Sequence, residues 1–273
     1  MNEVQQPKYR SPIRQILGKE FYIGKRKVEW ILGKTNWAKQ IKDQPFHHLV
    51  FKHQSMILRP LKDVDMILQE NKRTNLRIAI QHLDKIVIKP GETFSIWKNV
   101  GRTTKAKGYL NGLVLNQGKI ESGIGGGLCQ LGNLLFWIFA HSPLTITERH
   151  RHGFDVFPDI NRKVPFGAGA TLSYNYIDLQ VVNQTDNEFQ VLLFMDENYL
   201  YGELYSKNTI NSHFEVVEQD HIMKQQFWGG YTRHNRIIQI EKQKNGQQVE
   251  KLLAENHAIM MYSPFLEQKS DDV

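Results

Sequence analysis

One stretch constrains this 273-residue chain more than any other: ESGIGGGLCQLGNLLFWIFAHSPL, residues 121–144. Leu131, Leu134, Leu135, Ile138 and Phe139 fall on one side of a helix. Phe136, Trp137 and Ala140 make the other side apolar as well. A helix that is apolar all round has no face to offer water, so the remaining chain must wrap it. Pro143 forces its end. Ahead of it stand Gly125, Gly126 and Gly127. In regular structure each glycine costs about 0.5–1 kcal/mol relative to alanine, so three in a row point to a bend that only glycine can make. Cys129, the chain's only cysteine, then falls in the first turn of the helix.

The flanking sequence supplies what could wrap such a helix. Residues 1–55 are basic, with apolar residues at Ile13, Ile16 and Leu17 and again at Val28, Ile31 and Leu32. That spacing predicts short amphipathic helices, packed on the body or laid on an anionic membrane. A helix is expected to start near Pro60, with Asp63 and Asp65 at its positive end and Leu61, Val64 and Leu68 on one face. The run from Ile86 predicts two extended pieces about a Pro90–Gly91 turn, and LVLNQGKI predicts a hairpin at Asn116–Gly118. TITERHRHGFDVFPD reads as a strand with Ile146, Glu148, His150, His152, Phe154 and Val156 on one face and Arg149 and Arg151 on the other. Two strands about residues 184–188 and a hairpin near Asn245–Gly246 follow. The expected fold is α+β, a mixed or antiparallel sheet against a buried central helix, with a basic helical N-terminal region. The expected division is an N-terminal extension at 1–55, one domain at 56–262 and a flexible tail at 263–273.

Composition narrows the function classes. Thirty-five Lys and Arg against 28 Asp and Glu give a formal charge of +7, which favours acidic partners. No zinc-finger spacing or RNA-binding aromatic signature supports nucleic acid as that partner. A single cysteine excludes an internal disulfide. The N-terminus shows no apolar signal core, and no apolar run approaches the ~20 residues that span a bilayer. These features predict a cytoplasmic chain, at most peripheral to a membrane.

Chemistry concentrates around Cys129. A helix start favours a thiolate, whose pKa then falls below the usual value of about 8.5. Free backbone N–H groups there would receive an oxyanion. In a strand model His150 and His152 share a face about 6.6 Å apart. His152 is the favoured base because Gly153 leaves room for substrate, with His150 as an orienting or substrate-binding group. Asp178 would orient the imidazole, and Gln130 would donate to the oxyanion. Gly125, Gly126, Gly127, Glu148, Arg149 and Arg151 would contact substrate, the arginines by pairing with carboxylate. The competing readings are a small buried cysteine with structural histidines and a zinc site from Cys129, His141, His150 and His152. No CxxC or HExxH supports zinc, and GIGGGLCQ lacks the lysine of a phosphate loop. No cofactor is otherwise implied.

At these residues the sequence resembles the VanW family, named after an accessory protein of some vancomycin-resistance clusters. The resemblance rests on PGETFSIWKNVGRTTKAKGYLNGLVL, GGGLCQLGNLLFW, HSPLTITERHRHGFDVFPD, PFGAGATLSYNYIDLQVVNQT and GGYTRHNRI, with ENHAIMMY near the end. Its motifs fall on Gly125, Gly126, Gly127, Cys129, Gln130, Glu148, Arg149, His150, His152 and Asp178. Where relatives commonly carry serine after the second histidine, this chain has Gly153. The resemblance implies a cell-envelope or peptidoglycan association, and a wall fragment or precursor as partner, without naming a reaction. If the chain is an enzyme, the residues suggest a cysteine-dependent amidase, peptidase or transpeptidase. If it is not, they suggest a binding module for an anionic ligand.

Overall fold

The computed structural model describes residues 11–58, 65–116, 118–156 and 164–264. The chain opens with α1 (Pro12–Leu32), one helix of 21 residues rather than two short ones. No proline interrupts it after its start, and a Lys25–Glu29 pair at 3.9 Å spans one turn. Strands β1 (Gln40–Ile41) and β2 (His48–Met56) follow. Helix α2 (Met66–Ile80) starts later than Pro60 suggested. Its cap is Asp65, whose carboxylate accepts from Ile67 N at 3.0 Å. Pro60, Leu61, Asp63 and Val64 lie outside the described residues.

Next come β3 (Ile86–Ile88), β4 (Thr93–Ser95), α3 (Ile96–Val100), β5 (Asn111–Asn116) and β6 (Lys119–Ile124). Helix α4 (Cys129–Ala140) leads to β7 (Thr145–Glu148), β8 (Phe154–Asp155), β9 (Gln180–Val182), β10 (Phe189–Met195) and β11 (Tyr199–Ser206). The long strands β12 (Ser212–Gln225), β13 (Tyr231–Gln243) and β14 (Gln248–Met260) complete the described chain.

The fold is α+β, with antiparallel and mixed sheets. One sheet has the order β1-β3-β10-β11-β2, a second β12-β13-β14-β8, a third β4-β9-β7, and β5 pairs with β6. Among the described strands only β14 and β8 pair in parallel, and an isolated Trp37–Thr93 bridge is parallel as well. The Pro90–Gly91 turn does not close a hairpin: β3 joins β10 while β4 joins β9, so the chain changes sheets there. β9 and β10 separate in the same way.

Helix α4 packs on β2, β11 and β7. Every residue from Leu131 to Ala140 except Asn133 is buried. Phe139 meets Phe94 edge-on at 5.4 Å. The last carbonyls of α4 would be orphaned inside the protein. Gln239 of β13 resolves this, its Nε2 donating to Ala140 O at 2.7 Å and Ser142 O at 2.9 Å. The C-terminal sheet is thereby fastened to the end of the helix.

Candidate functional site

The glycine bend is built by close backbone approach. A Cβ on Gly126 would lie 2.2 Å from the carbonyl carbon and oxygen of Gly112 in β5. Gly127 has φ of 92°, in the left-handed region. Asn75 of α2 holds the bend, donating from Nδ2 to Gly126 O at 2.9 Å and to Leu110 O at 3.0 Å. Gly125 packs against Thr103 and Gly127 against the Lys72 side chain. Gly125, Gly126 and Gly127, expected to contact substrate, thus make close contacts within the chain itself. The three glycines admit the chain's own neighbours, and that packing sets Cys129 at the head of α4.

The sulfur faces backbone. Leu172 N donates to Cys129 Sγ at 3.4 Å, and Sγ lies 3.7 Å from Leu172 O, which accepts from the thiol. The residue keeps some solvent contact, but protein packs around the sulfur. Burial pushes the thiol's pKa up, and the Leu172 amide and the Arg151 charge oppose that rise only in part. Among the described residues no imidazole hydrogen-bonds to it. The first-turn amide of Gln130 is spent on Gly127 O at 3.1 Å. The Gln130 side chain turns to β2, its Nε2 donating to Ser55 Oγ at 2.9 Å and Met56 O at 2.7 Å. The side chain expected to donate to an oxyanion thus donates to β2 in this structure.

The segment that should have carried both histidines on one strand is not a strand. β7 stops at Glu148 and β8 starts at Phe154, so residues 149–153 run irregularly. Arg149 supplies the reason. Its Nε donates to Gly169 O at 2.8 Å, and its Nη2 donates to Gly167 O and, at 2.9 Å, to Asn256 Oδ1. Binding these carbonyls pulls the chain off the sheet. His150 O instead accepts from Thr171 N at 2.9 Å, and the His150 residue is exposed. Burial, then the charge of Arg151, lowers His152 to about 4, so its ring is neutral at physiological pH. The same causes lower Arg149 to about 9. Arg151 thus places positive charge beside Arg149, His152 and Cys129 at once, with its guanidinium 5.9 Å from the Phe166 ring.

Asp178 does not orient an imidazole. It lies buried under α3, accepting from Ser95 Oγ at 2.5 Å, Leu179 N at 2.8 Å and Trp97 N at 3.3 Å. Burial and nearby Glu148 raise it to about 7, against those hydrogen bonds. Glu148 is a structural acceptor, taking Arg26 Nη1 at 2.6 Å, Asp178 N at 2.9 Å and Gln180 Nε2 at 2.9 Å. His141 sits at the far end of α4, with Nδ1 2.8 Å from Trp137 O and its ring stacked on Phe51 at 3.9 Å. The proposed zinc ligands are therefore not brought together. Among the described residues no group of three or more His, Cys, Asp or Glu is placed to hold a metal.

Two features of the corner escape a reading by motif. One is the backbone of residues 167–172, which partners both Cys129 and Arg149. The other is the polar run Thr232, Arg233, His234 and Asn235, all buried on β13. Asn235 Oδ1 accepts from Asn256 Nδ2 at 2.8 Å, and Asn256 Oδ1 accepts from Arg149. Arg233 lies 4.4 Å from the Phe166 ring and 3.4 Å from Asp155. Four consecutive polar residues inside a strand were the available signal, since exposure would require alternation.

Fold and corner define a class: α+β proteins in which a glycine bend sets a lone cysteine at the head of an apolar helix, opposite an arginine–histidine segment. The chain belongs to the VanW family. The family model described as VanW like protein matches residues 71–205. The vancomycin B-type resistance protein VanW of Enterococcus faecalis is 38% identical over 207 residues, 76% of this chain and 74% of the relative. The uncharacterized protein YoaR of Bacillus subtilis is 30% identical over 154 residues, 54% of this chain and 47% of its own length. No solved structure matches. Among the described residues no helix is long and apolar enough to cross a membrane.

Proposed function

We propose that the chain is a non-catalytic binding module of the cell envelope, taking an anionic wall fragment or wall precursor at Arg149, Arg151 and His152 beside Cys129. The observation that carries this reading is the charge balance of the corner. The partners of Arg149 are two carbonyls and an amide, all neutral. Arg151 lies close enough to act electrostatically on Arg149. A carboxylate or phosphate would give Arg149 the charged partner that its neutral acceptors do not supply, and guanidinium groups suit such oxygens geometrically. The family relationship to a vancomycin-resistance protein supports an envelope setting. The second reading, acyl transfer by the Cys129 thiol, draws on the cysteine's place at the head of α4. A buried sulfur bonded to Leu172, with no imidazole hydrogen-bonded to it, speaks against that reading.

Calorimetric titration with soluble muropeptides and with a nucleotide-linked wall precursor tests the proposal. Binding is expected to weaken about tenfold or more in Arg151→Ala, in line with a charged hydrogen-bonding contact, and to survive Cys129→Ala. No heat with either ligand would overturn the proposal. Loss in Cys129→Ala together with a covalent thioester adduct by mass spectrometry would transfer the site to acyl-transfer chemistry.

A further inference from the structure

Helix α1 wears its apolar face on the wrong side for a packed helix. It docks through Ile23, which is buried, and through Arg26, paired with Glu148 at 2.6 Å. Trp30 contributes from the same side, 6.1 Å from Trp37 with Lys98 over its ring. At 100° per residue, Ile13, Leu17, Phe21, Val28 and Ile31 cluster on the opposite, outward side. Ile13 is 72% exposed, Leu17 and Phe21 each 66%, and Ile31 80%. A soluble surface rarely leaves a contiguous stripe of this kind without an occupant. Beside the stripe lie Arg14, Lys25 and Lys27, all on the solvent side. Within Pro12–Leu32 five Lys and Arg stand against two Glu, a net +3 on one helix.

We propose that α1 is an interfacial anchor that lays its outward face into the headgroup boundary of an anionic bilayer while its inner face stays docked on the body. Charge complementarity selects this occupant. A second copy of the chain would bring the same basic helix against itself, whereas an anionic surface neutralises Arg14, Lys25 and Lys27 as the apolar side chains enter. The helix would lie in the membrane plane and would not cross it. The inference does not depend on the ligand at the Arg151 corner, because the outward face of α1 carries none of that contact set.

Flotation of the full chain with vesicles decides the matter. Vesicles of phosphatidylglycerol mixed with phosphatidylcholine are expected to carry the protein, pure phosphatidylcholine to carry little, and added salt to release it. Leu17→Gln with Phe21→Gln is expected to lower partitioning about tenfold or more. Lys25→Gln is expected to lower it about fivefold. These positions are exposed, so urea midpoints should match the parent chain and any loss reports binding. Equal partitioning of parent and double variant would overturn the proposal, as would failure to float with the anionic vesicles. A concentration-dependent dimer in buffer alone, abolished by the same double variant, would overturn it in favour of self-association.

Discussion

Asp178 and His152 carry opposite pH dependences that cancel in the parent chain and reappear when either is replaced. Asp178 is raised from 3.8 to about 7, chiefly by burial. The folded chain keeps this proton after the unfolded chain has released it. Its stabilising contribution is full below 3.8 and is lost as pH rises towards 7. His152 is lowered from 6.5 to about 4, again chiefly by burial. The folded chain resists a proton that the unfolded chain accepts, so this contribution is full above 6.5 and is lost as pH falls towards 4. Each group changes stability by about 1.4 kcal/mol per pH unit inside its window. Between about pH 4 and 6.5 the two windows overlap and the slopes oppose. His152→Gln removes one slope and leaves the other. Relative to the parent, the variant should lose about 2 kcal/mol between pH 4.5 and 6.0, and Asp178→Asn should gain about as much. Urea unfolding at the two pH values measures both, and subtracting the parent removes every other titrating group. A His152→Gln difference below about 0.5 kcal/mol would refute the reasoning, because it would mean that His152 titrates alike in the folded and unfolded chains.

Gly126→Ala should destabilise by about 3 kcal/mol, since its Cβ meets the Gly112 backbone at 2.2 Å and the backbone of β5 cannot yield cheaply. Gly153→Ala, with nothing within 4 Å of the added carbon, should stay within about 0.5 kcal/mol in the same urea titration. Asp65→Ala should cost about 1 kcal/mol through loss of the α2 cap, and Asp65→Asn should recover most of it. Arg149→Lys and Asn256→Ala should couple by about 1 kcal/mol or more in a double-mutant cycle on unfolding free energies. Additivity within about 0.3 kcal/mol would detach the C-terminal sheet from the corner.

Much of the fold was legible because its signals are local. The apolar run after Cys129 announces a helix, and the helix is Cys129–Ala140. Asn245–Gly246 announces a turn, and β13 pairs with β14 across it, with Gly246 at φ 85°. The hairpin at Asn116–Gly118 follows the same logic. What was not legible depends on distant partners. Alternation from Ile146 to Val156 fits a strand, yet Arg149 finds its acceptors at Gly167, Gly169 and Asn256, up to 107 residues away, and the strand breaks. The nearness of His150 and His152 to Cys129 in sequence likewise says little about the sulfur, whose partner is the backbone of Leu172. Asp178 looked like an orienting acid because its type suits that role. Its environment made it a buried brace for α3 instead.

The residues of the GGGLCQ and ERHRH motifs are held together by mutual dependence more than by shared chemistry. Gly126 can approach Gly112 only without a side chain, and that approach sets where α4 begins. The start of α4 sets Cys129 against Leu172, and Arg149, bound to the carbonyls of Gly167 and Gly169, takes the chain off the sheet after Glu148. Asn256 and Asn235 then tie the same arginine to the long C-terminal hairpin. A buried, neutral thiol serves such a junction well: it accepts one amide, reaches one carbonyl and introduces no charge. Serine at this position would match the polarity but sit farther from Leu172, because the C–O bond is shorter than C–S. The junction therefore selects for sulfur on packing grounds, and Arg149 is left held by two carbonyls and an amide oxygen, none of them charged.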